Sequence, residues 1–327
     1  MSITTTASDL GRELYRAVWQ LVGQTFFDTS RLANWDSFEH RFDKQIVDEE
    51  SALRCIDEML ASLNDTYTER VIPVASVSCD TAETAAQVSE PVMAVLRPDG
   101  IGYIRVLTFD RPDAFELVEQ GAKKIANCAG VVLDLRNNSG GRMHDAMASC
   151  GLFLNDGLIV TTEMRHEDGG ILTRQYALNE TEFFANVTTP DGASTSERYA
   201  RPAPVLAGKP IVILINKRTA SAGELMLATL VQNGFPGKVL MVGNGATPGK
   251  GIGQAEYEVM DGKVKVRVTR TRWLTPGGDW LGDCGQTERN GIEPDVLVPE
   301  DRGMEGVQVA FVELRKMLDA AKAELKS

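Results

Sequence analysis

Ile211-Val212-Ile213-Leu214-Ile215-Asn216-Lys217-Arg218-Thr219-Ala220-Ser221-Ala222-Gly223-Glu224 passes from five aliphatic residues into a polar turn, and then into an apolar-rich segment that Gly234 can end. A run this short, all Val, Ile and Leu, suits a strand covered on both faces, and the apolar-rich segment over Ala222–Asn233 suits a crossover helix. The same order recurs upstream, where Val131–Leu135 precedes a helix expected around Met143–Leu154. Tyr103–Leu107 and Val239–Val242 are further short runs bounded by Gly, Pro or Asn. Strands alternating with helices argue for an α/β core.

Around this core the pattern changes. Residues 1–75 read as a helical region. Ser8 is expected to cap a stripe of Leu10, Leu14, Ala17, Val18 and Leu21, and a second helix carries Leu53, Ile56, Leu60 and Leu63 before the turn at Asn64-Asp65-Thr66. Residues 76–302 form the core, with a polar, poorly periodic insertion at about 161–206 that reads as a cap. That insertion holds a hairpin turn at Asp168-Gly169-Gly170 and closes on Arg201-Pro202-Ala203-Pro204. Val264, Val266 and Val268 alternate after Asp261-Gly262 like a half-exposed hairpin strand, and residues 303–327 form an amphipathic C-terminal helix.

The 327 residues, 43% hydrophobic and 24% charged, are those of an ordinary globular chain, and no apolar run approaches the ~20 residues needed to span a bilayer. A net charge of −12 argues against nucleic acid or an anionic membrane as partner. Cys55, Cys79, Cys128, Cys150 and Cys284 contain no CxxC and no metal-ligand spacing, so free thiols, no metal and no cofactor are expected. The first residues lack a basic stretch followed by an apolar one, so no signal peptide is visible and a cytoplasmic location is expected.

Three glycine-punctuated segments are the places for chemistry. Leu135-Arg136-Asn137-Asn138-Ser139-Gly140-Gly141 joins an expected strand to a helix, where glycines let backbone N–H groups approach a ligand and a helix N-terminus favours negative charge. It reads equally as a plain turn. Ser221 with Glu224 forms an S-x-x-E capping box, a sufficient reason for both residues. In Gly243–Gln254 five residues separate Gly243 from Gly249, and Gly251 follows Lys250, so neither a phosphate loop nor a GxGxxG fingerprint fits.

Taken together, the segments resemble those of the carboxy-terminal processing peptidases, or tail-specific proteases. The chain shows the family's LRxNxGG loop at Leu135–Gly141, its serine at Ala220-Ser221-Ala222-Gly223-Glu224, and its GKGxxQ segment at Gly249-Lys250-Gly251-Ile252-Gly253-Gln254. Thr275-Pro276-Gly277-Gly278 and Gly291-Ile292-Glu293-Pro294-Asp295 follow in the family's order, and Met59–Tyr67 is similar to its front end. The resemblance covers most of residues 50–300. It implies a ClpP/crotonase-like α/β core carrying the N-terminal helical region and the cap. It also implies a serine endopeptidase acting on protein or peptide tails through a Ser–Lys dyad.

By that resemblance Ser221 is the nucleophile, Lys250 its general base and Gln254 the group that orients the lysine. The oxyanion would be held by the N–H of Ala222 and one from Gly140 or Gly141. The chemistry is consistent, since a serine hydroxyl is a poor nucleophile until a base takes its proton, and a lysine does so only where its surroundings hold it neutral. On an extended segment Lys250 and Gln254 share a face. The surplus length between Ser221 and Lys250, relative to the family, is expected to loop out at Phe235–Lys238 or Asn244–Thr247. His144, three residues past Gly141, competes as base but reads more simply as a solvated first-turn residue; His40 and His166 sit beside no motif.

The family's usual PDZ domain does not fit between Tyr67 and Gly102, so a PDZ-less member is expected. The expected partner is a protein or peptide substrate, with no nucleic acid and no membrane, and a homo-oligomer is left open. The alternative on the same fold is a catalytically inactive or non-peptidase relative that binds acyl-CoA or another ligand. Ser221, Lys250 and Gln254 all being present weighs against it.

Overall fold

The computed structural model describes residues 6–72, 90–234, 238–299 and 304–324. In chain order the elements are α1 (Ala7–Thr25), α2 (Glu49–Ala61), β1 (Glu69–Arg70), β2 (Val92–Leu96), β3 (Ile101–Val106), α3 (Ala114–Lys124), β4 (Gly130–Asp134), α4 (Met143–Cys150), β5 (Gly157–Arg165) and β6 (Ile171–Leu178). They continue as β7 (Glu182–Thr188), β8 (Ser194–Ala200), β9 (Ile211–Ile215), α5 (Ala222–Asn233), β10 (Val239–Gly243), β11 (Ile252–Val259), β12 (Val264–Leu274), β13 (Val296–Leu297) and α6 (Glu305–Glu324). Two compact units result. One comprises Met1–Ala85, Glu163–Leu172 and Ile252–Arg272; the other comprises Ala86–Thr162, Thr173–Gly251 and Trp273–Ser327.

In the first unit α1 starts at Thr6 rather than at Ser8. Thr6 Oγ1 accepts the Asp9 N–H at 3.2 Å and Asp9 Oδ2 accepts the Thr6 N–H at 3.2 Å. Thr6 wins because a carboxylate stands three residues on, where Ser8 has only Gly11. Leu14, Tyr15, Val18 and Val22 of α1 and Ile56, Met59 and Leu60 of α2 share one core with Val264, Val266 and Val268 of β12. The alternation of those valines is the inward face of the β11–β12 hairpin, whose turn carries Met260, Asp261 and Gly262 at positive φ. That shared core is why residues 252–272 cluster with the N-terminal helices, a grouping that a boundary at residue 75 does not contain.

The second unit is built on a six-stranded sheet in the order β13-β10-β9-β4-β3-β2, parallel except for the antiparallel edge strand β2. On one face Val131, Leu133, Ile211, Ile213 and Ile215 pack with Val118 of α3, Met147 of α4 and Leu225 of α5. On the other, Val132, Val212 and Leu214 lie under Val307, Ala310, Phe311 and Leu314 of α6. Both sets of alternate side chains are therefore buried, which is why β4 and β9 read as unbroken apolar runs. Each such side chain contributes about 1.5–3 kcal/mol on full burial. The C-terminal helix is thus part of this core rather than an appendage.

Within the 161–206 stretch the turn at Asp168-Gly169-Gly170 forms, closed by the His166 N–H donating to the Gly170 carbonyl at 2.8 Å. Strands β6, β7 and β8 follow as an antiparallel meander. Cys55, Cys128, Cys150 and Cys284 are unpaired thiols; Cys79 lies outside the described residues.

Candidate active site

The loops that leave β4 and β9 are bound to each other by polar side chains. The Asn137 N–H donates to Asn216 Oδ1 at 3.1 Å, and Asn216 Nδ2 donates back to Asn137 Oδ1 at 3.0 Å. The Ala220 N–H donates to the Asn138 carbonyl at 2.8 Å, and buried Thr219 donates its hydroxyl to the Leu135 carbonyl at 2.9 Å. Asn138, wholly buried, donates to the Val106 carbonyl and accepts the Gly140 N–H at 2.9 Å. Gly140 at φ +101 lies so close that a Cβ there would stand 2.7 Å from Ser221 Cβ and 2.9 Å from the Ala222 nitrogen. Only glycine meets both demands.

Ser221 itself adopts φ 53, ψ −119 and is partly accessible at the N-terminus of α5. A non-glycine residue on that side of φ/ψ space is strained by about 1–3 kcal/mol, and such strain persists where surrounding contacts over-determine it. Here they do. Glu224, wholly buried one turn into α5, accepts the Ser221 N–H on Oε2 at 2.8 Å, the Gly249 N–H on Oε1 at 2.7 Å and the Lys250 N–H on Oε2 at 2.8 Å. One carboxylate thus satisfies donors from two segments, in a position where the helix N-terminus favours its charge. The nitrogens of Ser221 and Lys250, sharing one acceptor atom, lie within twice 2.8 Å of each other.

Gly249 takes a positive φ of 76, and the residues around it bridge to the 282–284 stretch. The Cys284 N–H donates to the Gly249 carbonyl and the Gly251 N–H to the Gly282 carbonyl, while Lys250 pairs in antiparallel register with Asp283. Of the two stretches expected to take up the surplus, Asn244–Thr247 lies in irregular backbone between β10 and Lys250 and is tied down at its end. Thr247 is buried, donating its N–H to the Ile292 carbonyl and accepting the Ile292 N–H on Oγ1 at 2.8 Å, because Gly291-Ile292 packs against it. Asp295 accepts the Met241 N–H at 2.8 Å, fixing the rest of the Gly-Ile-x-Pro-Asp stretch to β10. Phe235–Gly237 lie outside the described residues.

The Gly140 N–H is engaged by Asn138, so of Gly140 and Gly141 the second is the one left with a donor to offer. Ala222 opens α5, where its N–H has no intrahelical acceptor. Gln254 lies on β11 in the first unit, with its Nε2 buried and without a partner among the described residues. His144 is exposed on the first turn of α4, edge-on to Tyr176 with ring centres 6.4 Å apart, and makes no hydrogen bond among the described residues. Among the described residues no group of His, Cys, Asp or Glu is arranged to hold a metal, and no helix is long and apolar enough to cross a membrane.

Residues 100–298 match the family model described as peptidase family S41. The chain belongs to that family. Carboxy-terminal processing protease CtpA of Bacillus subtilis (strain 168) is 30% identical over 211 residues, covering 63% of this chain and 37% of that protein. The carboxyl-terminal-processing protease of Picosynechococcus sp. is 29% identical over 208 residues, covering 62% and 40%. The S41 chain thus spans about two-fifths of the length of these curated relatives. Among solved structures, a photosystem II D1 C-terminal processing protease superposes with a TM-score of 0.64 at 19% identity, covering 92% of this chain and 97% of that one. A lipoprotein from Streptococcus agalactiae gives 0.60 at 17% identity, covering 94% and 96%. Both share the fold.

Sequence reasoning missed the reach of Glu224 in this S41 peptidase domain. The S-x-x-E spacing signals the cap to Ser221, but the second hold, on Gly249 and Lys250, joins residues 25 and 26 apart and has no local signature.

Proposed function

We propose that the chain is a serine endopeptidase acting on protein or peptide tails, with Ser221 as nucleophile and Lys250 as general base. The observation that carries this reading is the shared carboxylate. Glu224 holds the backbone of both residues on one oxygen, so the hydroxyl and the amine spring from anchored points a few ångströms apart. In the reaction Ser221 Oγ attacks the scissile carbonyl carbon and passes its proton to the neutral Lys250 amine. The oxyanion that forms is met by the N–H groups of Ala222 and Gly141. Collapse expels the amine, which takes the proton back from Lys250. Water then attacks the acyl-enzyme with Lys250 again as base, releasing the acid and restoring Ser221. Gln254, four residues further along the chain, is assigned the orienting of the lysine amine. We further propose that substrate is bound without a PDZ module, for which the spacing from Tyr67 to Gly102 leaves no room.

A fluorophosphonate probe with mass mapping of the adduct tests the reading. The expected result is a single adduct on Ser221, absent in Ser221→Ala. A preparation that cleaves a peptide while its adduct sits elsewhere overturns the assignment.

A further inference from the structure

A cavity of about 550 Å³ lies on the α6 side of the six-stranded sheet, beyond the part that α6 covers. Its floor is the β2–β3 pair, where Met93 stands opposite Arg105 and Val95 opposite Tyr103. Val307 and Phe311 of α6 form a further wall. Three arginines line it. Arg136 is paired with buried Asp134 at 2.6 Å, and Arg97 is paired with Asp99 at 3.2 Å and stacks over the Phe311 ring. Arg105 is different. It is half-buried, its Nε is fully shielded, and among the described residues it has neither a hydrogen bond nor an ion pair.

An arginine with no ion pair leaves a positive charge unmatched in a partly apolar cavity, and the carboxylate beside it in register, Asp134 of β4, is already taken by Arg136 and Tyr103. The apolar side of the cavity is equally unfinished, since Met93 and Val95 are 40% and 42% exposed on a sheet face whose centre is otherwise covered. We infer that this cavity is a binding site for a small aliphatic carboxylate, with its head on Arg105 and its chain against Met93, Val95, Val307 and Phe311. One unpaired cation beside two neutralised ones matches a monoanion, and the guanidinium fork matches a carboxylate. The volume falls within the ~300–1000 Å³ of small-ligand sites. An alkyl chain fits better than a peptide, because the cavity presents the side-chain face of β2 and β3 rather than the open outer edge of β2, and peptide amides lying on that face would lack backbone partners.

The test is calorimetric titration of the whole chain with dodecanoate below its micelle concentration. Saturable one-to-one binding is expected, with dodecanol at least ten-fold weaker. Arg105→Gln and Val95→Asp are each expected to weaken dodecanoate at least ten-fold while melting as the parent does, and Arg105→Lys, which keeps the charge but not the fork, to weaken it less than Arg105→Gln does. A diazirine-bearing fatty acid, used on the unaltered chain, is expected to label peptides containing Met93–Arg97 or Val307–Phe311, which keeps the proposal testable if a variant fails to fold. Absence of saturable binding, dodecanol binding as tightly, Arg105→Gln binding as the parent does, or labelling confined to other peptides overturns it. So does a peptide acid with apolar last residues that matches dodecanoate in affinity and in its dependence on Arg105. None of these outcomes depends on Ser221.

Discussion

Ser221 and Lys250 donate their backbone N–H groups to one and the same atom, Glu224 Oε2, each at 2.8 Å. The carboxylate is a register pin: it sets where each side chain starts. Glu224→Gln keeps the volume but gives up one acceptor oxygen and turns an NH2 group toward backbone donors. Each buried N–H left unmatched costs about 1–3 kcal/mol. Peptidase kcat is expected to fall about 100-fold, with a smaller change in KM and a melting temperature several degrees lower. Full activity in Glu224→Gln would remove the pin from the mechanism.

The backbone of Ser221 makes a separate prediction. At φ 53 and ψ −119 a glycine is at ease and an alanine is not. Both Ser221→Gly and Ser221→Ala should lower kcat by about 10³-fold or more. Ser221→Gly should nonetheless unfold about 1 kcal/mol less easily than Ser221→Ala in urea titration. Equal stabilities would mean that the turn carries no strain.

Gly140 is packed from the other side. A Cβ at this position meets Ser221 Cβ and the Ala222 nitrogen at 2.7 and 2.9 Å, and φ +101 adds strain. Gly140→Ala should therefore abolish fluorophosphonate labelling even where circular dichroism shows the chain folded. Labelling at the parental rate would show that the serine turn tolerates displacement.

Lysine and histidine are separable as bases. Lys250→Ala should be nearly as damaging as Ser221→Ala, because nucleophile and base act as a unit, and Lys250→Arg should not rescue it, since a guanidinium keeps its proton. His144→Ala should cost less than three-fold (about 0.7 kcal/mol at most), in keeping with its exposed ring. The activity should rise with pH through one ionisation below the ~10.4 of free lysine, and that ionisation should survive in His144→Ala. Its disappearance there, with activity kept in Lys250→Ala, would transfer the role to His144.

A pH dependence of stability follows from Asp99. Hydrogen bonds from Arg97 and Arg315, the latter on α6, hold its carboxyl well below the usual carboxylate range. A folded value below the unfolded one means a contribution that is complete above roughly pH 4 and is lost as pH falls further. Asp99→Asn should therefore be less stable than the parent near pH 6, and the gap should narrow by pH 3. A gap independent of pH would mean that the ion pairs do not hold α6.

How much of the fold and the site is legible in the residues depends on whether the cause is local. Strands β4 and β9 and helix α5 are readable because burial on both faces leaves an unbroken apolar run and a capped start at Ser221. The start of α1 is misplaced at Ser8 when the apolar stripe alone decides it; the carboxylate of Asp9 moves the cap to Thr6. Strand β8 is invisible for a physical reason: nearly every residue of Ser194–Ala200 is exposed, so there is no core to impose alternation. The holds of Glu224 on Lys250 and of Thr247 on Ile292 are long-range pairings of polar groups, and polar pairing leaves no periodicity behind.

The Thr247–Ile292 and Met241–Asp295 hydrogen bonds have a consequence for how the chain is made. On a ribosome Ser221 emerges first, Lys250 some thirty residues later, and the stretch that clamps the Lys250 segment only after another forty. Until then the hold of Glu224 on Gly249 and Lys250 lacks the two flanking clamps, Thr247–Ile292 and Met241–Asp295. On the function proposed above, the growing polypeptide therefore completes its cutting edge only once Asp295 is out.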